Sequence, residues 1–299
     1  MTSLFSSDVL TMEQPGPVAT LWLDRPGAAN AMGPEFWSDL PRAMARLSGD
    51  DAVRAVVIAA RGPHFSVGLD LKAMAGLLMS PATAGAGSPG GGAGAPGSEA
   101  TGPPRDPSTA ARARVTRQSV LRMQGAINAV ADCPKPVVAA VHGYCIGGGV
   151  DLITACDIRL AAADAVLSVR EVKMAIVADL GSLQRLPGIV GAGHVAELAF
   201  TGKDVTAARA REIGLVNDVV DGGADGVHAA AVALADEIAA NSPLAVQGTK
   251  AVLAAGARRS IAEGLDYVAT WNAGMLASDD LTEALTAFIE KRPGRFTGS

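Results

Sequence analysis

Little in this sequence could hold a metal or a disulfide. Its 299 residues include three cysteines, Cys133, Cys145 and Cys156, which form no Cys-x-x-Cys pair and no even-numbered framework. Such spacing suits a reducing compartment, where lone thiols act as small buried hydrophobes. The four histidines, His64, His142, His194 and His228, stand singly, so no metal site is expected. A basic excess is missing too: 25 Lys and Arg against 30 Asp and Glu leave a net charge of -5. That excludes the basic face of a nucleic-acid binder. No run approaches the roughly 18 apolar residues of a membrane span. The N-terminal MTSLFSSDVLTMEQPG has no basic stretch leading into an apolar core, so it does not read as a secretory signal. A cytoplasmic protein with no membrane partner is the expectation.

What is abundant is apolar side chains, 49% of the chain against 18% charged. That balance suits a compact α/β protein, with room for further burial between subunits. Strands are expected where β-branched residues run into turn signals, at Val18–Asp24 before Arg25-Pro26-Gly27 and at Val53–Ala59. Val137–Val141 reads as another buried strand, and Ile158–Ala161, Val166–Val169 and Leu215–Val220 as short ones. Helical spacing is expected over Glu35–Leu47, Leu71–Leu78 and Arg114–Asp132, and again in most of the chain beyond His194. The stretch from Ser80 to about Pro107 is dominated by Gly, Ala, Pro and Ser. It reads as a flexible insertion (80–110) within one domain, because strand–helix alternation resumes after it. The division expected is a core over 1–220 and a helical region over 221–299.

The chemistry is concentrated between Val141 and Pro187. Gly147-Gly148-Gly149 opens a helix, and Asp151 follows in its first turn. Glycine allows unusual backbone angles and close ligand approach, and N–H groups at a helix start suit a developing anion. A second glycine turn, Ser66-Val67-Gly68-Leu69-Asp70, leaves a buried strand. Two N–H groups converging from separate turns would form an oxyanion hole. Each glycine could instead only tighten a strand-to-helix turn. Asp151, Glu171 and Asp179 are candidates for moving protons beside that anion. Taken singly, Asp151 could serve the helix dipole, Glu171 could pair with Arg170 or Lys173 at the surface, and Asp179 could cap the turn into Ser182–Leu186.

IGGGVDLITACDIRLAA, with FSVGLDL upstream and LQRLPGIVG downstream, resembles the enoyl-CoA hydratase/isomerase (crotonase) superfamily. LWLDRPGAANAM, REIGLVNDVV and FIEKRPGRFTG extend the resemblance over nearly the whole chain. It implies a spiral of ββα turns closed by a C-terminal helical trimerisation region, assembled as a homotrimer or a dimer of trimers. The oxyanion N–H groups would belong to Leu69 and Gly148. Hydratases of the family carry glutamates at the positions of Asp151 and Glu171 here and a glycine at that of Asp179. The set Asp151, Glu171, Asp179 looks more like the Δ3,5-Δ2,4-dienoyl-CoA isomerases.

That resemblance implies an acyl-CoA isomerase of fatty-acid β-oxidation. Glu171 would take a proton from C2 of a 3,5-dienoyl thioester, Asp179 would return one at C6, and Asp151 would be auxiliary. Coenzyme A is expected over the turn from Phe65 through Val67 and Asp70 to Lys72, with its phosphates near Arg25, Lys72, Lys291 or Arg292. No metal or redox cofactor is required. The alternatives are a 2-enoyl-CoA hydratase that tolerates Asp151 and a non-catalytic acyl-CoA-binding homologue. A nucleotide-binding reading of the triple glycine lacks the GxGxxG or GxxxxGK[ST] context.

Overall fold

The computed structural model describes residues 5–75, 108–257 and 259–299. Most of the expected insertion at 80–110, and the end of the helix expected at Leu71–Leu78, lie outside the described residues. Within them, 71–74 form turns.

Four near-continuously apolar strands, β3 (Val18–Leu23), β4 (Ala55–Ala60), β5 (Val137–Val141) and β7 (Ile158–Ala162), lie side by side and parallel. Their composition follows from position, since a parallel sheet is covered on both faces. Two elements of the first 13 residues, β1 (Phe5–Ser6) and β2 (Leu10–Glu13), extend the sheet antiparallel on one edge, and β10 (Asp218–Val220) closes the other. A second, three-stranded sheet is formed by β6 (Tyr144–Ile146), β8 (Val166–Ser168) and β9 (Val205–Thr206). The chain therefore passes repeatedly from the large sheet to the small one and then into a helix: β5, β6, Gly148–Thr154, then β7, β8 and the helices beyond. This is the spiral of ββα turns.

Two cores result. One face of the large sheet packs on helices α1 (Pro34–Gly49) and α2 (Thr109–Ala131), among residues such as Leu40, Met44, Ile127 and Val130. The other face packs on Gly223–Ala239 through Val227, Ala231, Ala235 and Ala239. The boundary expected at 220 thus falls just ahead of a helix that belongs to the core. Among the described residues, the later helices Pro243–Gly256, Ile261–Met275 and Asp279–Glu290 stand apart from both cores. Their side of the molecule is tied to the starts of the strands. Arg54, just before β4, donates to Phe296 O at 2.5 Å, and Lys250 reaches Asp157, just before β7, at 2.6 Å. The glycine turns leave the opposite ends of the strands.

Candidate active site

The first glycine turn is built on Asn30. This residue sits at φ +54, a conformation that Asn adopts more readily than most side chains. Buried there, its Oδ1 accepts from Arg25 N at 2.8 Å, and its Nδ2 donates to Arg61 O at 2.9 Å and His64 O at 2.8 Å. Asn30 O accepts the Ser66 hydroxyl at 2.8 Å, and Ser66 Oγ in turn accepts from Gly68 N at 3.1 Å. Met32 completes the frame: its N–H donates to Gly68 O at 2.8 Å and its O accepts from Asp70 N at 3.0 Å. This parallel bridge consumes the groups on either side of Leu69 and turns the Leu69 N–H away. Among the described residues that N–H has no acceptor.

The second turn is held against the first. Ile146 N donates to Ser66 O at 3.0 Å, and Gly147 N to Ser168 O at 2.9 Å. Gly147, at φ 53 and ψ -115, holds a backbone shape open to glycine alone. A Cβ on Gly68 (φ +83) would lie 2.7 Å from Ile146 O and 3.2 Å from Gly148 N, and one on Gly148 would lie 2.9 Å from Met32 Sδ. The glycines are therefore required by contact between the turns as well as by their own angles. Gly148 begins its helix, so its N–H has no intrahelical partner, nor any other among the described residues. Two unspent N–H groups, Leu69 and Gly148, thus stand on touching turns, the arrangement that stabilises an oxyanion.

The three carboxylates gather beside this pair. Asp151 is 1% exposed, and its Oδ1 accepts from Ser182 N at 2.6 Å. Burial pushes its pKa up to about 6, the Ser182 hydrogen bonds lower it, and the Asp179 charge adds to the rise. Glu171 begins a 3-10 turn, Glu171–Met174, reached from β8. Its Oε1 would lie 3.3 Å from a Cβ on Gly147, so it abuts the glycine run. Its Oε2 is buried with no hydrogen-bond partner. Burial first, then the charges of Asp151 and Asp179, raise the Glu171 pKa to about 7. A surface ion pair is not what this residue makes, since the neighbouring Arg170 pairs with Asp204 instead. Asp179 is half-buried, with a pKa raised by burial. It does not cap the helix Ser182–Arg185, whose N-cap is Gly181 with no side-chain cap bond.

The residues expected around coenzyme A divide. Val67 and Lys72 are exposed on the oxyanion turn. Arg25 and Asp70 are joined to each other at 2.7 Å, with Asp70 Oδ1 also accepting from Ala73 N at 3.0 Å. The Ala73 and Arg25 bonds hold the Asp70 carboxyl below its ordinary pKa. Phe65 is fully buried in the core and cannot offer a surface to a nucleotide. Arg292 is taken by Glu283 and Glu290. Lys291 is exposed, but no contact joins it to this turn, and the chain beyond it returns to Arg54 at the far end of the sheet. Sequence reasoning missed Asn30 and Met32, and the bridging role of Ser66 within its turn. The only signal was AAN-AM following a turn, where an Asn suits a left-handed position.

With this geometry in place, the comparisons are consistent. The enoyl-CoA hydratase from Bacillus anthracis superposes with a TM-score of 0.81 at 28% identity, over 97% of this chain and 100% of that one. The enoyl-CoA hydratase from Mycobacterium tuberculosis H37Rv gives 0.78 at 30% identity, over 98% and 100%. The fold is that of the crotonases. The family model described as enoyl-CoA hydratase/isomerase matches residues 13–86 and 108–299, and the chain belongs to that family.

Among curated relatives, the peroxisomal Delta(3,5)-Delta(2,4)-dienoyl-CoA isomerase of Arabidopsis thaliana is 40% identical over 296 residues, 99% of this chain and 98% of its own. The mitochondrial protein of that name from Homo sapiens is 40% identical over 271 residues, 90% of this chain and 75% of its own. These names overturn the expectation of a cytoplasmic protein, which rested only on the absence of a secretory signal and a membrane span.

Proposed function

We propose that the chain isomerises 3,5-dienoyl-CoA to 2,4-dienoyl-CoA. The observation that carries this reading is the third acid, Asp179, within electrostatic reach of Glu171 and Asp151. It occurs in a chain 40% identical to relatives named for this reaction. The thioester oxygen rests on the Leu69 and Gly148 N–H groups. Glu171, ionised, takes a proton from C2, and the electron pair spreads through the diene as a dienolate. Asp179, in its protonated form, gives its proton to C6, leaving double bonds at C2 and C4. Solvent then returns a proton to Asp179 and removes one from Glu171. A base with a pKa near the working pH and an acid raised above its ordinary range suit the two steps. Two groups are needed because C2 and C6 lie too far apart for one short carboxylate. Proton transfer between carbons calls for no cofactor, and coenzyme A enters as part of the substrate.

Asp179→Asn is expected to abolish formation of the conjugated dienoyl thioester, followed by its absorbance; unchanged turnover would overturn the assignment. Hydration is the second reading, favoured by the adjacency of Asp151 and Glu171. Assaying crotonyl-CoA beside a 3,5-dienoyl-CoA separates the two.

For assembly, the C-terminal helices leave Ile261, Leu265, Phe288 and Ile289 largely exposed. An apolar surface of that kind supports a homotrimer or a dimer of trimers formed through this region.

A further inference from the structure

The segment Asp179–Ser182 connects the remote acid to the helix Ser182–Arg185, and every residue in it is held through its main chain. Asp179 O accepts from Gln124 Nε2 at 2.6 Å. Leu180 O accepts from Arg185 at 3.4 Å. Gly181 O accepts from Gln184 N at 3.2 Å and from Arg185 N at 3.0 Å, and Ser182 N donates to Asp151 at 2.6 Å. One of these ties comes directly from α2, through Gln124, and a second contact from the same helix face, four residues on, holds Arg185: Asn128 Oδ1 accepts from its guanidinium at 2.5 Å.

Arg185 is partly buried within electrostatic reach of Asp151 and Asp132, yet both of its side-chain partners among the described residues are neutral oxygens, those of Asn128 and Leu180. Gly181 is shaped to admit it. At φ +125 no other residue fits, and a Cβ there would lie 1.9 Å from an Arg185 terminal nitrogen. A guanidinium presents its donors in one rigid plane, so it can bridge two fixed oxygens where a lysine ammonium is a single point. Together with the direct Gln124 tie, the guanidinium therefore fixes how the Asp179 loop stands against α2.

We infer that Arg185 is a positioning residue for proton delivery at the far carbon: by bridging Asn128 of α2 to Leu180 O across Gly181, it sets the reach of the Asp179 carboxylate. Glu171 is carried by a different segment, reached from β8, and is not held by this bridge. Loss of the bridge therefore affects the two proton transfers unequally. The inference rests on the isomerase reading, in which Glu171 serves C2 and Asp179 serves C6.

The test uses the full-length protein with 3,5-octadienoyl-CoA in D2O and measures two rates. One is wash-in of deuterium at C2, which needs only Glu171 and the oxyanion site. The other is growth of the 2,4-dienoyl chromophore, which also needs Asp179. Arg185→Met is expected to slow chromophore formation on the order of 10²-fold, the scale of an ångström-sized misplacement, and to leave C2 exchange close to wild type. Asn128→Ala, which removes only the acceptor that orients the guanidinium, is expected to show the same imbalance more weakly and serves if Arg185→Met does not fold. A parallel fall of both rates, or no change in either, overturns the role of Arg185. Wild-type protein that exchanges C2 yet forms no 2,4-diene would instead overturn the isomerase reading.

Discussion

Gly68 and Gly148 stand so close that a Cβ on the first would lie 3.2 Å from the nitrogen of the second. The two halves of the oxyanion site are thus separated by the width of a missing side chain. Gly68→Ala would push Ile146 O and Gly148 N outward and strain a backbone at φ +83. Losing one oxyanion donor costs about 10²- to 10³-fold in turnover, so kcat of this variant is expected to fall by that order. A variant with unchanged kcat would show that the touching turns do not hold the thioester oxygen.

Glu171 governs the pH profile. With a pKa near 7 it is protonated, and inactive as a base, below that value. The rate kcat/KM is expected to fall about tenfold for each pH unit below 7. Glu171→Gln should remove that limb and lower the rate by about 10²- to 10⁴-fold. Should the limb survive in the variant, the ionisation belongs to another group.

Asp151 is expected to cost stability rather than supply it. Its pKa rises from 3.8 to about 6 on folding, so between those values the folded chain holds more protons than the unfolded one. Stability therefore falls as pH rises through that window. Asp151→Asn keeps an oxygen able to accept from Ser182 N. It should match wild type near pH 4 and exceed it at pH 8, by on the order of 3 kcal/mol. Chemical denaturation at the two pH values measures the difference, and equal stability at both would show that Asp151 meets no such burial.

Removing the Asn30 side chain strands three main-chain groups, Arg25 N, Arg61 O and His64 O. At about 1 kcal/mol or more for each buried group left unpaired, Asn30→Ala should lower stability by about 3 kcal/mol. It should also loosen the Ser66 and Gly68 contacts and so raise KM together with lowering kcat. Thermal unfolding and steady-state kinetics read both, and a full-strength oxyanion site in the variant would contradict the framing role.

Much of this arrangement is legible in the sequence. The strand Val137–Val141 could be read in full because a parallel strand covered on both faces is an unbroken apolar run. The edge strands β1 and β2, and the two-residue β9, carry no such run and went unread. The acids and glycines were found because their residue types state their chemistry. Their neighbours were not: whether Phe65 faces a ligand or the core depends on long-range packing, and it faces the core. Arg25 and Asp70, both expected at coenzyme A, lie 45 positions apart, and only the folded chain shows that they pair with each other.

The unspent N–H groups of Leu69 and Gly148 have a consequence for how the protein trades hydrogen with solvent. Most ordered amides are slow to exchange because a bond must open first. These two are ordered by what surrounds them, through Met32, Ser66 and Asn30, while their own hydrogens are bonded to nothing in the described chain. They should exchange early in the free protein without any local unfolding, and become protected when an enolate-like ligand fills the gap. Rigidity and protection, which normally travel together along a backbone, are separated at these two amides.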